Sequence, residues 1–229
     1  ARVPSSRPID DPRSVTALSV ALQGLDTLAL PSDGMQRCRR EGGEMLCEIR
    51  SAPGDGFSAE AEPFDRQRYL ASTLPVASDH PEIRRLSRQL TEGHTDPHEQ
   101  MAALVAWIQD NVDQQAVDVF SAIDVLETRK AECQGNTFLY AAFARARGIP
   151  TRVVNGIVYS EELGGFLYHT WAESHVEKRW QAVDPTFGQV RADATHIKLA
   201  EGESLADLDP LLAVMGRLKA RVIAMEHAE

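Results

Sequence analysis

With 229 residues, 24 Lys and Arg against 34 Asp and Glu, and a formal charge of −10, the chain is acidic enough to disfavour non-specific binding to nucleic acid or anionic lipid. Hydrophobic residues at 43% and a mean hydropathy of −0.29 describe a folded chain, long enough for one core and an appendage. No apolar run approaches the roughly 18–20 residues of a membrane-spanning helix, and three cysteines are too few for a disulfide-built scaffold.

Residues 1–13 are polar and lack the apolar stretch of a signal peptide or membrane anchor. Because the chain starts on Ala1, it is expected to be a mature or trimmed fragment of a longer protein, from which a signal or anchor could have been removed. Val15–Leu22 and Met35–Ile49 read as strands, the second folded about Gly42-Gly43, a pair suited to a two-residue hairpin turn. Folding there sets Glu41 opposite Glu44, Arg40 opposite Met45, Arg39 opposite Leu46 and Cys38 opposite Cys47. Cys38 and Cys47 then share a non-hydrogen-bonded site, where Cα atoms approach to about 4.5 Å. Two readings follow: a cross-strand disulfide, with an oxidising, extracytoplasmic (periplasmic) home, or two half-buried thiols with a cytoplasmic one.

Ser51–Asp65 is rich in Gly, Pro, Ser and acid and reads as a linker, which divides the chain into an N-terminal β region, 1–65, and a second region, 66–229. Beyond it the apolar period changes from two to 3.6. Pro81–Leu90 carries Ile83, Leu86 and Leu90 on one face. Asp96 caps a second helix, with Pro97 at its first position and Glu99 placed to close a capping box; Met101, Leu104, Val105, Ile108 and Val112 form its stripe. A shorter helix is expected over Ser121–Lys130 and a longer one over Cys133–Arg147, stopped by Gly148 and Pro150. Strands follow at Thr151–Tyr159, Phe166–Val176 and Trp180–Pro185. The tail reads as a strand at Asp193–Leu199, a helix around Asp209–Met215 and an alternating Leu218–Val222. Helices followed by an antiparallel sheet make the fold α+β.

The chemistry-bearing residues lie between Cys133 and Asp184. Cys133 opens an apolar helix, where backbone amides and the helix dipole favour thiolate over thiol. A nucleophilic thiolate needs a base, and the base an orienting partner; His169 and Asp184 supply those types on two adjacent antiparallel strands. If the turn between them centres on Glu177-Lys178, Asp184 falls opposite Trp171, one diagonal step from His169 on the same sheet face. A turn on Lys178-Arg179 would separate them by four positions. Taken singly, each has a blander account: a small buried cysteine, a half-exposed strand histidine, a turn-forming Asp before Pro.

Three blocks change that balance. Ala131-Glu132-Cys133-Gln134-Gly135-Asn136-Thr137 with Ala144–Gly156, then His169-Thr170-Trp171-Ala172-Glu173, then Trp180–Thr186, resemble in order and spacing the core of the transglutaminase-like superfamily. The resemblance covers about Asp96–Thr186 and implies a papain-like α+β fold. In it Cys133 is the nucleophile, His169 the general base and acid, and Asp184 the residue orienting the histidine. Ala131 departs from the pattern, standing where a glycine is common two residues before the cysteine. The implied chemistry is acyl transfer on peptide or glutamine-type amides through a thioester, with a peptide or protein as substrate and no cofactor or metal. Hydrolysis is favoured over amine transfer, because the chain lacks a dedicated calcium loop and the large flanking domains of animal crosslinking enzymes. One oxyanion donor is expected to be the Cys133 N–H; by resemblance Trp107 is a conceivable second, although its helix pattern makes it core.

Other residues read more quietly. His94 and His98 straddle the Asp96 cap and do not share a helical face for a metal. His175 shares parity with His169 as a rival base, and His196 could line the same cleft but reads as structural. Gly164-Gly165 is a hairpin turn or mobile rim, Arg145, Arg147 and Arg152 are solvated or ion-paired, Trp171 and Trp180 are packing residues, and Glu201–Asp209 is an acidic surface. Two further functions compete: a transamidating crosslinker, and a non-catalytic peptide-binding or assembly module of a longer envelope protein. Such a module would be expected to have lost at least one of Cys133, His169 and Asp184.

Overall fold

The computed structural model describes residues 1–51, Phe57 and 64–229; most of the expected Ser51–Asp65 linker lies outside the described residues. In chain order the first elements are β1 (Arg2–Pro4), β2 (Val15–Gln23), β3 (Gln36–Glu41), β4 (Glu44–Arg50), α1 (Pro81–Leu90), α2 (Pro97–Asn111), β5 (Asp113–Gln114) and α3 (Ala122–Thr128). Next come β6 (Lys130–Ala131), α4 (Cys133–Ala146), β7 (Thr151–Ser160), β8 (Gly165–Val176), β9 (Arg179–Val183), β10 (Ile197–Glu201), α5 (Leu205–Val214) and β11 (Lys219–His227). They form two compact units: Ala1–Glu62 with Val154–His169 and Ala192–Glu229, and Pro63–Val153 with Thr170–Arg191. No helix among the described residues is long and apolar enough to cross a membrane.

The first unit holds a four-stranded antiparallel sheet in the order β11-β2-β4-β3. β4 shows the period of two that a one-sided sheet requires, burying Met45, Cys47 and Ile49 between partly exposed neighbours. Gly42, at φ +61°, makes the β3–β4 turn, and the register is the expected one, Glu41 opposite Glu44 and Cys38 opposite Cys47. The two cysteines form a disulfide across Cα atoms 4.2 Å apart. Closing so short a loop removes about 2–3 kcal/mol of unfolded-chain entropy. Urea unfolding with and without dithiothreitol should therefore show the reduced protein less stable by about that amount.

Within the same unit β1 pairs with the start of β8, Arg2 opposite Leu167, a strand that three polar-flanked residues did not announce. β10 pairs with the end of β7. Buried Lys198 on β10 makes an ion pair with Asp33, and Gln36 exchanges two amide bonds with its backbone, each 2.8 Å. Three tail expectations change. Asp193–His196 is a turn rather than a strand, because Asp193 Oδ1 accepts the Thr195 N–H at 2.9 Å. α5 starts at Leu205 rather than near Asp209, because Ser204 and Asp207 close a capping box and Pro210 is accommodated inside the helix. β11 runs on to His227, paired with β2 as far as Val15 and bulged between Val222 and Ala224.

The second unit is a helical cluster on strand ends. α4 is buried continuously from Gly135 to Arg145, which makes it the central helix, with α1, α2 and α3 around it. Leu139, Ala142 and Phe143 pack with Met101, Leu104 and Ile108 of α2 and with Val153, Ala172 and Val183 of the strands. A helix bearing the cysteine on an antiparallel sheet is the α+β arrangement expected from the sequence. At the start of α2 the Asp96 cap forms, accepting the His98 N–H at 2.8 Å. The capping box does not: the Glu99 carboxylate lies 3.3 Å from His94 Nδ1 instead. Arg145 also differs from expectation. It is buried, and donates to the carbonyls of Thr151 and Ala71, each at 2.9 Å, which satisfies its charge without a solvent-facing pose.

Candidate active site

Cys133 is the first residue of α4, half-buried and outside the disulfide. The sequence delivers it there by close packing. Gly135 lies buried where an added Cβ would come within 2.8 Å of Ala131 Cβ and 2.9 Å of Val125 Cγ2. The helix start thus presses onto β6 and α3 as no other residue would permit. Gly135→Ala should cost about 1–2 kcal/mol by thermal or urea unfolding, because overpacking outweighs the helix-propensity gain of about 1 kcal/mol.

The first turn of α4 is also where two strands are tied down. Thr137 Oγ1 lies 2.7 Å from the Cys133 carbonyl oxygen and 3.2 Å from that of Thr170 on β8. The fully buried Asn136 donates from Nδ2 to Thr186 Oγ1 at 3.1 Å and to Gln114 Oε1 at 2.8 Å. From α2, Gln109 Nε2 reaches the carbonyls of Pro185 and Thr186, at 2.7 and 2.8 Å. A polar Asn-Thr pair buried on an otherwise apolar helix is the signal these ties leave in the sequence; sequence reasoning did not assign them.

Asp184 is fully buried just past the end of β9. Its Oδ1 accepts the backbone N–H groups of Thr186 and Phe187, at 2.9 and 3.0 Å, and its own N–H and C=O pair with Gln189. The register is set by the hairpin before it. Glu177 and Lys178 both take positive φ, 52° and 64°, and the ladder runs from Val176 opposite Arg179 to Ala172 opposite Val183. One more step brings Asp184 level with Trp171, the register with its turn on Glu177-Lys178.

His169 lies on β8, nearly buried, two residues before Trp171 and hence on the same strand face. It closes one segment of the first unit, whereas Cys133 and Asp184 belong to the second. Its ring centroid is 5.9 Å from that of His196, which is buried with Nδ1 2.9 Å from the Asp193 carbonyl and 3.4 Å from Asp193 Oδ1. Burial raises the Asp193 carboxyl. The hydrogen bond and charge of His196, then Arg13 and Thr195, together outweigh it and hold the group below the usual carboxylate range.

His175 is placed for packing. It stacks on Phe64 with centroids 3.9 Å apart and meets Trp180 edge-on at 5.0 Å, while burial, then Arg152 and Arg66, push its imidazole down. Arg152 pairs with the buried Glu173 at 2.7 Å and covers Trp180 at 4.0 Å. Trp107 packs edge-on against Phe143 under the Arg129 guanidinium, as a core residue. His94 and His98 face different carboxylates, Glu99 and Glu177, and hold no common site.

Comparison with known proteins shows what the chain is similar to. The Transglutaminase-like superfamily profile matches residues 84–185. Mouse kyphoscoliosis peptidase is 28% identical over 186 residues, 72% of this chain and 27% of the relative. A protein-glutamine gamma-glutamyltransferase of Pseudomonas aeruginosa is 29% identical over 200 residues, 80% of this chain and 29% of the relative. The chain thus spans under a third of the length of these curated relatives. A crystal structure from Cytophaga hutchinsonii, provisionally described as that of a cysteine protease, shares the fold. Its TM-score is 0.60 at 15% identity, covering 93% of this chain and 86% of that one. Residues 84–185, which carry the cysteine-headed helix, thus match the transglutaminase-like superfamily, the resemblance expected from the sequence.

Proposed function

We propose that the region 66–229 is a thiol-dependent acyl-transfer enzyme acting on peptide or glutamine-type amides, with Cys133, His169 and Asp184 as its triad. One observation carries the reading. The first turn of α4 is hydrogen-bonded through Thr137 to Thr170, the neighbour of His169, and through Asn136 to Thr186, two residues beyond Asp184. In the reaction the Cys133 thiolate forms a C–S bond to the amide carbon, and the carbonyl electron pair moves onto oxygen. When that pair returns, the C–N bond breaks and His169 gives its proton to the departing amine. Asp184 holds the ring in the required tautomer. The thioester is then released by water activated through the same histidine.

Hydrolysis is favoured over amine transfer because Cys133 is half-buried rather than enclosed, which leaves a thioester open to water. The name of the Pseudomonas relative supplies the second reading, transfer to a primary amine. The disulfide between Cys38 and Cys47 supports an extracytoplasmic home. Incubating a peptide library with the native protein and with Cys133→Ala, and reading products by mass spectrometry, tests the reaction and its acceptor. New termini or a glutamine-to-glutamate mass change, present with the native protein alone, are expected. Amine-linked adducts would select the transferase reading, and an unchanged library would overturn the enzyme reading.

A further inference from the structure

A tetrahedral oxyanion formed at Cys133 needs donors already aimed at it, and the helix start offers backbone N–H groups. A side-chain amide reaches the same turn. β5 and β6 run parallel with Gln114 opposite Ala131, two residues before the cysteine. The Asp113 N–H donates to the Arg129 carbonyl at 2.9 Å and the Gln115 N–H to that of Ala131 at 3.1 Å, which fixes Gln114 at that rung.

Its side chain reaches the first turn of α4, where Oε1 accepts from Asn136 Nδ2. Asn136 is wholly buried, and its Oδ1 has no hydrogen-bond partner among the described residues. A buried amide oxygen left unsatisfied is uncommon and calls for a reason; here Nδ2 is committed to holding Gln114 and Thr186 in place. With Oε1 engaged, the exposed Gln114 keeps the two N–H donors of Nε2 on the same amide carbon, at the turn of α4 that begins with the proposed nucleophile.

We propose that Gln114 is a catalytic residue of this acyl transfer, its Nε2 donating to the substrate oxygen as negative charge develops there, together with the Cys133 N–H. Asn136 is a positioning residue that turns the amide so that nitrogen rather than oxygen faces the reacting carbonyl. This rests on Cys133 being the nucleophile. As the C–S bond forms, the carbonyl pair localises on oxygen and both N–H bonds shorten onto it; when the C–N bond breaks, the pair returns and they relax. Trp107 does not compete for the role, being packed against Phe143 under Arg129.

Two rates on one protein separate this role from the nucleophile's: amide turnover in a casein digest, and alkylation of Cys133 by iodoacetamide, a displacement that forms no oxyanion. Gln114→Ala should lower kcat for the digest by about 10²- to 10³-fold with KM nearly unchanged. Gln114→Glu, of the same shape but bearing a negative charge, should lower it at least as far. Alkylation should stay within about two-fold of wild type in Gln114→Ala, because the neutral amide does not take part in thiolate formation. Turnover within about three-fold of wild type in Gln114→Ala, or equal losses of turnover and alkylation, would overturn the assignment. Wild-type protein lacking turnover would instead remove the proposed reaction, and this role with it.

Discussion

Cys133→Ala should abolish acyl transfer, by at least about 10⁴-fold, while the protein stays folded. The expectation is large because in the proposed reaction the sulfur is the atom that forms the new bond, which alanine cannot form. Stability should change by no more than about 1 kcal/mol, since the side chain is half-buried and its loss leaves the helix start, pinned by Asn136 and Thr137, intact. Cys133→Ser should be nearly as inactive, because the hydroxyl ionises far above neutral pH and the helix-end amides cannot close that gap. Circular dichroism and urea unfolding beside product assays would show activity lost without structure. Serine or alanine variants that retain turnover would place the nucleophile elsewhere.

Asp184 should separate into two functions when substituted two ways. Asp184→Asn keeps an oxygen able to accept from the Thr186 and Phe187 N–H groups, so the loop and the fold should persist. It removes the negative charge that in the proposed triad would orient and stabilise the imidazolium, and turnover should fall about 10³- to 10⁴-fold. Asp184→Ala removes that oxygen as well. Two backbone donors then lose their acceptor in a fully buried position, and stability should fall by about 2–3 kcal/mol in addition to the same catalytic loss. Equal stability of the two variants would show that the loop does not depend on the carboxylate. Full activity in Asp184→Asn would remove it from the triad.

What was legible in the sequence follows a physical division. Local rules located the elements whose determinants are adjacent in the chain. Gly42-Gly43 set a hairpin and therefore the Cys38–Cys47 pair, whereas of the two turns left open before β9 the structure takes Glu177-Lys178. Asp96-Pro97 started α2, and an apolar run ending at Gly148 bounded α4. Period-two and period-3.6 patterns were legible because each element buries one face, and α4, buried on all sides, was legible by its length and caps.

The illegible parts are bonds between distant segments. β1 is a strand only because β8 offers it an edge, and Arg145 is buried only because the carbonyls of Ala71 and Thr151 meet it. The Asp193–His196 turn replaced an expected strand because a short side chain capped its own backbone, a choice that residue pattern does not distinguish from alternation. In the site, cysteine, histidine and aspartate were legible as residue types in a family's order. The ties from Asn136 to Gln114 and Thr186, and from Thr137 to Thr170, were not, because polar residues inside an apolar helix carry no mark of their partners.

Activation of the Cys133 sulfur by a partner from β8 is measured most directly by its ionisation. Iodoacetamide alkylation of Cys133, followed from pH 4 to 9 in wild type and in His169→Ala, reads the thiolate fraction without requiring a substrate. A reactive plateau reaching well below pH 7 in wild type, lost in His169→Ala, is the predicted result. A single titration near pH 8.5, the ordinary value for a thiol and the same in both proteins, would contradict it.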